Sequence, residues 1–92
     1  MKANSFLSAM GSLFFYIDGD EVVIYSSITG DTHLVDLETA KVLKKLNLDS
    51  MKYSDFLVYL ADQHACIIDS ELESYSKVLI EELKSLDLID IN

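Results

Sequence analysis

Apolar and polar residues alternate along two short segments near the start of the chain, LFFYID from Leu13 and EVVIYSS from Glu21. Alternation with period two is typical of strands that bury one face. The dipeptide Gly19-Asp20 separates the segments, and glycine tolerates the positive φ that a two-residue hairpin turn needs. A second turn, over residues 28 to 31, leads into a third segment, THLVD. The pattern therefore predicts a three-stranded antiparallel meander.

The apolar spacing becomes helical in the second part of the chain. Asp36 is placed to cap a first helix over residues 38 to 46, because a short acidic side chain can accept from the first free amides. A second helix is predicted over residues 54 to 64. A third, over residues 70 to 86, opens with SELE, which has the form of a capping box. The apolar tail DLIDIN is expected to pack back on the body.

These elements predict an α+β fold of order βββααα, with a three-stranded antiparallel sheet followed by three helices. The second and third helices have the lengths and spacing of a helix-turn-helix pair, so the expected architecture is winged-helix-like. We expect one domain over residues 13 to 92, because 92 residues, half of them apolar, supply one core. Residues 1 to 12 are expected to form a flexible N-terminal arm or a short extra helix.

The charge balance argues against nucleic acid as a partner. The chain has sixteen Asp and Glu residues but only seven lysines and no arginine, so its formal charge is −9. Nucleic-acid binding depends on cationic contacts to phosphate, and the helix that would read DNA, SELESYSKVLIEELKS, is itself acidic. Basic peptides or proteins are the natural partners of such a surface.

The apolar runs are too short for a membrane span. No stretch reaches 18 apolar residues, and serines and a glycine interrupt the apolar N-terminal stretch that could pass for a signal peptide. We therefore expect a cytoplasmic protein with no membrane partner.

Candidate metal ligands are few and badly spaced. His33, His64, Cys66 and Asp69 are the residues to consider, but His64-x-Cys66 lies outside the usual ligand gaps and no second cysteine is present. The single cysteine also excludes an intramolecular disulfide, and we expect Cys66 to be a small buried apolar residue. We predict no metal site.

No catalytic motif is present. The many carboxylates fall on predicted helix surfaces and turns, where charges are usually only solvated. The chain has neither a nucleophile-elbow motif nor a glycine-rich phosphate loop. We predict a non-enzyme without a cofactor.

Five stretches of the chain resemble the PqqD-like family, the small winged-helix recognition elements of ribosomally made, modified peptides. The resemblance covers about residues 13 to 90. It is carried by FFYIDGDEVVIYSS, ITGDTHLVD, LETAKVLKKL, SDFLVYLADQH and the leucine-rich end LIEELKSLDLIDI. Family members often carry glycine just after the last helix, whereas this chain has Asp87 there.

The resemblance implies a use for the third strand. Such domains clamp an extended leader peptide along that strand, beside the third helix, and present the precursor to a modifying enzyme. An edge strand has unpaired N–H and C=O groups and can accept another strand in this way.

The candidate peptide-binding residues lie on these two elements. In the third strand, alternation places Leu34 and Val35 on opposite faces, so one of the two belongs to the core. On the third helix, Tyr75, Val78 and Glu82 lie together beside the buried stripe. They form either the wall of a groove or part of the ordinary core packing. The eight candidates are Thr32, His33, Leu34, Val35, Asp36, Tyr75, Val78 and Glu82.

The sequence thus predicts a non-catalytic peptide-binding adaptor, whose partners are a precursor leader peptide with some Lys or Arg and the modifying enzyme of the same system. The alternative is a small acidic winged-helix regulatory protein that acts through protein contacts. A second copy of the chain could also pair with the unpaired edge, giving a homodimer.

Overall fold

The computed structural model describes residues 5 to 92, which form six strands and three helices. In chain order the elements are β1 (Phe6–Ala9), β2 (Leu13–Asp18), β3 (Glu21–Ser26), β4 (Thr32–Asp36), α1 (Leu37–Leu48), β5 (Met51–Lys52), α2 (Tyr53–His64), α3 (Ser70–Ser85) and β6 (Ile89–Ile91).

The predicted meander is present as the antiparallel sheet β2-β3-β4. Asp18 pairs with Glu21 across a two-residue turn, and Gly19 at its first position has a φ of 64°. Asp20 at the second position has a negative φ. A positive φ at the first position alone is the pattern of a type II′ turn, which suits the right-handed twist of a hairpin.

The predicted order βββααα is wrong, because the described residues contain a second sheet. Its strand order is β5-β1-β6, all antiparallel, so the elements run β-β-β-β-α-β-α-α-β. Strands β1, β5 and β6 have four, two and three residues, respectively. Such short strands show no measurable alternation, and their pairing joins residues far apart in sequence. The fold is therefore α+β but is not the simple winged-helix arrangement that the sequence pattern predicted.

The segment expected to be a flexible arm or a short helix contains β1 instead. Leu7 of this strand is fully buried and pairs with Met51 and Ile91. The first four residues of the expected arm lie outside the described residues. The tail does pack back on the body, as the strand β6.

The helices lie close to their predicted ranges, with one different cap. Asp36 caps α1 as predicted, since its carboxylate accepts from the Thr39 amide at 2.8 Å. At the start of α3, however, the cap is Asp69, whose carboxylate accepts from the Leu72 amide at 2.9 Å. The capping box predicted from Ser70 is therefore wrong by one residue, because Asp and Ser are both good caps and adjacent here.

The core lies between the helices and the inner faces of the two sheets. Two serines are fully buried within it, Ser26 and Ser76. Ser76 donates to the Glu73 carbonyl at 2.7 Å, so its hydroxyl accepts from Tyr53 at 2.8 Å, which joins α2 to α3. The fully buried apolar residues include Leu7, Ile24, Leu43, Leu60, Ile80, Leu88 and Ile89.

Among the helices that the structure describes, none is both long enough and apolar enough to cross a membrane.

Candidate functional site

Strand β4 forms one edge of its sheet, and its backbone alternates between β3 and the open side. Ser26 donates to the Asp31 carbonyl at 3.0 Å, which fixes the phase of the ladder between these strands. In an antiparallel pair, hydrogen-bonded and non-hydrogen-bonded residues alternate. His33 and Val35 therefore bond to β3, whereas the N–H and C=O groups of Thr32 and Leu34 point to the open edge.

The Asp36 amide also points to the open edge. The Asp36 carbonyl lies at the start of α1, where it can accept the first hydrogen bond of the helix. Within residues 5 to 92, no backbone hydrogen bond satisfies the outward groups of Thr32 and Leu34. The edge thus presents paired donors and acceptors at every second residue, which is the spacing that an added strand requires.

The side chains of β4 alternate in the same rhythm. Val35 lies opposite Val22 and packs against the core, and His33 lies opposite Ile24 on the same inner face. Leu34 points the other way and is 62% exposed. Of Leu34 and Val35, the core residue is therefore Val35.

A groove of about 360 Å³ lies between the edge of β4 and one face of α3. Its floor is apolar, with Leu79 and Leu83 almost fully buried. Six of the eight residues predicted from the sequence line it, and these are Leu34, Val35, Asp36, Tyr75, Val78 and Glu82. Thr32 and His33 do not line the groove, so Thr32 belongs to the candidate site only through its outward backbone.

The α3 wall is formed by residues that helical geometry places beside the buried stripe. Val78 is 64% exposed and Tyr75 is 44% exposed. Plain core packing, the alternative for these two positions, is therefore wrong. The stripe itself passes through Leu72, Ser76 and Leu79, because the small serine allows α3 to approach α2 closely.

The pKa of Tyr75 is affected by burial and by three carboxylates. Burial raises the pKa of Tyr75 above its ordinary value of 10.0, and the negative charges of Glu38, Asp36 and Glu82 raise it further. The contribution of these three carboxylates, as distinct from that of burial, favours a cation beside Tyr75.

A second cavity, also of about 360 Å³, shares Tyr75 with the groove. It lies between the start of α1 and the loop that joins α2 to α3. His64 contacts the Tyr75 ring edge-on, with centroids 5.6 Å apart, and lies 4.0 Å from the Glu38 carboxylate. The remaining lining residues are Cys66, Ile67, Asp69, Glu71 and Leu72. Acidic side chains therefore continue past the C-terminal end of β4.

The turn from β4 directly into α1 is made by Asp36. Its carboxylate caps the helix, and hydrogen bonds from the Thr39 side chain and amide hold the pKa of Asp36 below its ordinary value. Because the last strand residue is also the helix cap, no linker is needed, and Glu38 in the first turn of α1 lines the second cavity.

Cys66 is exposed in the loop after α2, so the expectation of a buried apolar cysteine is wrong. The loop places it beside His64 and Asp69 at the second cavity, but not as a ligand set. Among residues 5 to 92 there is no group of three or more His, Cys, Asp or Glu side chains that could hold a metal ion.

Four lining residues of the groove were not foreseen as such. Leu79 and Leu83 were predicted as buried stripe and Leu86 as helix end, and each has an edge open to the groove. Thr39 lines it from the first turn of α1. The signal for Thr39 was its position three residues after the predicted cap, which turns it toward the end of β4.

Searches against protein-family models, curated proteins and solved structures find no match for this chain. The resemblance to the PqqD-like family therefore rests on the sequence patterns given above.

Proposed function

We propose that this chain is a non-catalytic adaptor that binds an extended peptide as an added strand on β4, in the manner of PqqD-like recognition elements. The peptide is the leader of a ribosomally made precursor, and the adaptor presents it to a modifying enzyme. The observation that carries the proposal is the open edge of β4 facing a groove on α3.

Backbone hydrogen bonds supply part of the affinity in this mode. The outward groups of Thr32 and Leu34 and the Asp36 amide meet a partner strand at every second residue. Each such hydrogen bond makes a net contribution of about 0.5–1.5 kcal/mol to the free energy. The remaining affinity and the choice of sequence come from side chains that enter the groove between Tyr75 and Val78.

The groove selects side chains by polarity and charge. Its apolar floor and the exposed Val78 suit an aliphatic or aromatic side chain. Glu82 on its rim and Glu38 beyond Tyr75 suit a Lys or Arg. A leader in which apolar and basic residues alternate would satisfy both conditions in one extended segment.

The test uses a displayed library of 12-residue linear peptides, selected on the immobilised domain. Matched baits carry Leu34→Pro, which removes an outward amide, or Leu34→Ala, which keeps it. We expect enrichment of extended peptides with apolar and basic residues that bind the Leu34→Ala bait but not the Leu34→Pro bait. Peptides that bind all three baits equally would contradict the proposal.

The regulatory alternative makes a different forecast for the same selection. A protein that acts only through folded partners would enrich no linear peptide dependent on Leu34, and its partner contacts would fall on other surfaces. The two functions are thus separated without knowledge of the natural ligand.

A further inference from the structure

The outer face of the β2-β3-β4 sheet carries apolar side chains where an antiparallel sheet normally presents polar ones to water. Residues that pair directly across neighbouring strands have their side chains on the same face of the sheet. On the outer face, these pairs form three rows, each with one residue from β2, one from β3 and one from β4. The rows are Phe14, Tyr25 and Thr32; then Tyr16, Val23 and Leu34; then Asp18, Glu21 and Asp36.

Two of the rows form an exposed apolar patch. Tyr16 is 72% exposed and Phe14 is 57% exposed. The rings of Phe14 and Tyr25 lie 6.1 Å apart and tilted, which pre-orders the patch. A contiguous exposed apolar patch of this kind often marks a site of interaction with another molecule.

The third row gives the patch an acidic border. Asp18 pairs with Glu21, which pairs with Asp36, so three carboxylates lie side by side at one end of the face. No lysine occupies any of the nine positions in the three rows. The face is thus apolar at its centre and negative on one side.

A second copy of this chain fits the face poorly. Each copy carries a formal charge of −9, so two copies repel. Anionic lipid and nucleic acid are opposed by the same charge.

We infer that this face, called here the outer sheet face, docks a protein whose contact surface has an apolar centre bordered by Lys or Arg. The face shares Leu34 and Asp36 with the groove, but its centre at Tyr16 on β2 lies two strands from the open edge of β4. The inference stands whether or not a peptide binds in the groove.

The experiment places the photo-crosslinking residue benzoylphenylalanine at Tyr16, in the organism that makes the protein. The matched control carries it at Val58, which is also exposed but lies on α2. The expected result is a covalent adduct with a different protein at Tyr16 only. The crosslinked segment of that protein should contain both apolar and basic residues.

The recovered protein is then purified and titrated against three variants. Tyr16→Lys, which opposes the basic border, should weaken binding about tenfold or more, and the neutralising pair Asp18→Asn and Glu21→Gln should reduce the salt dependence of binding. Val58→Lys should leave the affinity within about twofold. Because Tyr16 is exposed, circular dichroism should show an intact fold.

Three results would overturn the inference. They are an adduct between two copies of the chain, no adduct specific to Tyr16, or a partner whose affinity ignores both the Tyr16→Lys change and the neutralised carboxylates. Peptide selection on the groove should be unchanged by Tyr16→Lys, so failure here is distinguishable from failure of the adaptor function.

Discussion

Helices α2 and α3 each end in a residue with left-handed backbone conformation, and neither residue is glycine. Ala65 has a φ of 51° and Asp87 a φ of 58°. After α3, Leu88 donates to the Leu83 carbonyl at 3.1 Å and Asp87 to the Lys84 carbonyl at 3.0 Å, which is the Schellman pattern. The chain thus has a glycine-type helix end without a glycine at that position.

We expect Asp87→Gly to stabilise the fold by about 0.5–1 kcal/mol, because glycine adopts this conformation without the steric cost of a Cβ. Urea unfolding measures the change. Asp87→Asn is the control, since it removes only the negative charge near the helix C-terminus and should give the smaller gain. A destabilised Gly variant would show that the conformation of Asp87 is different.

The cap at Asp36 makes a pH-dependent contribution. We expect Asp36→Ala to lower the free energy of unfolding by about 1 kcal/mol at pH 7, whereas Asp36→Asn keeps a cap. Because the folded pKa of Asp36 lies below 3.8, the carboxylate contributes fully above that value and its contribution is lost as pH falls through the folded pKa. The difference from Asp36→Ala should therefore shrink in acid, and a constant difference would contradict this.

At the scale of elements, sequence pattern predicted the long elements and missed the short ones. Strands β2 to β4 and the three helices are long enough to show their period. The second sheet is built from strands too short for alternation, and long-range pairing with Met51 and Ile91, rather than local preference, makes a strand of β1.

Six of the ten side chains that line the groove were predictable from the sequence, but the direction of the β4 backbone was not. Helical geometry alone places Tyr75, Val78 and Glu82 on one flank of α3. The outward amides of β4 depend on its register with β3, across a turn of residues 27 to 31. A shift of one residue would exchange the inward and outward amides, and nothing in the composition of that turn fixes the shift.

Proline substitutions separate the two kinds of amide in β4. Leu34→Pro removes an outward donor on an edge strand, where proline is tolerated, so we expect a folded protein whose affinity for a selected peptide falls about tenfold or more. Val35→Pro removes a bond to β3 and leaves its acceptor unpaired, which should cost about 1–3 kcal/mol of stability. Urea unfolding and fluorescence titration measure these effects, and the reverse assignment would contradict the register.

At the scale of the whole molecule, the formal charge of −9 places carboxylates in the lining of the groove and along one end of the outer sheet face. We expect Glu82→Gln to weaken binding of a selected basic peptide about two- to fivefold, as befits an exposed ion pair. Glu73→Gln is the control: it changes the net charge by the same amount on the same helix, but Glu73 does not line the groove. Equal losses in both variants would show that only the overall charge acts.

The central claim is that alternate backbone groups of β4 face outward and accept a strand. Amide hydrogen exchange, followed residue by residue by NMR, tests it first without a ligand. In the free protein, we expect slow exchange at His33 and Val35 and fast exchange at Thr32 and Leu34. Addition of a selected peptide should slow exchange at Thr32 and Leu34. Fast exchange at Val35, or peptide binding that leaves Leu34 unprotected, would contradict the account.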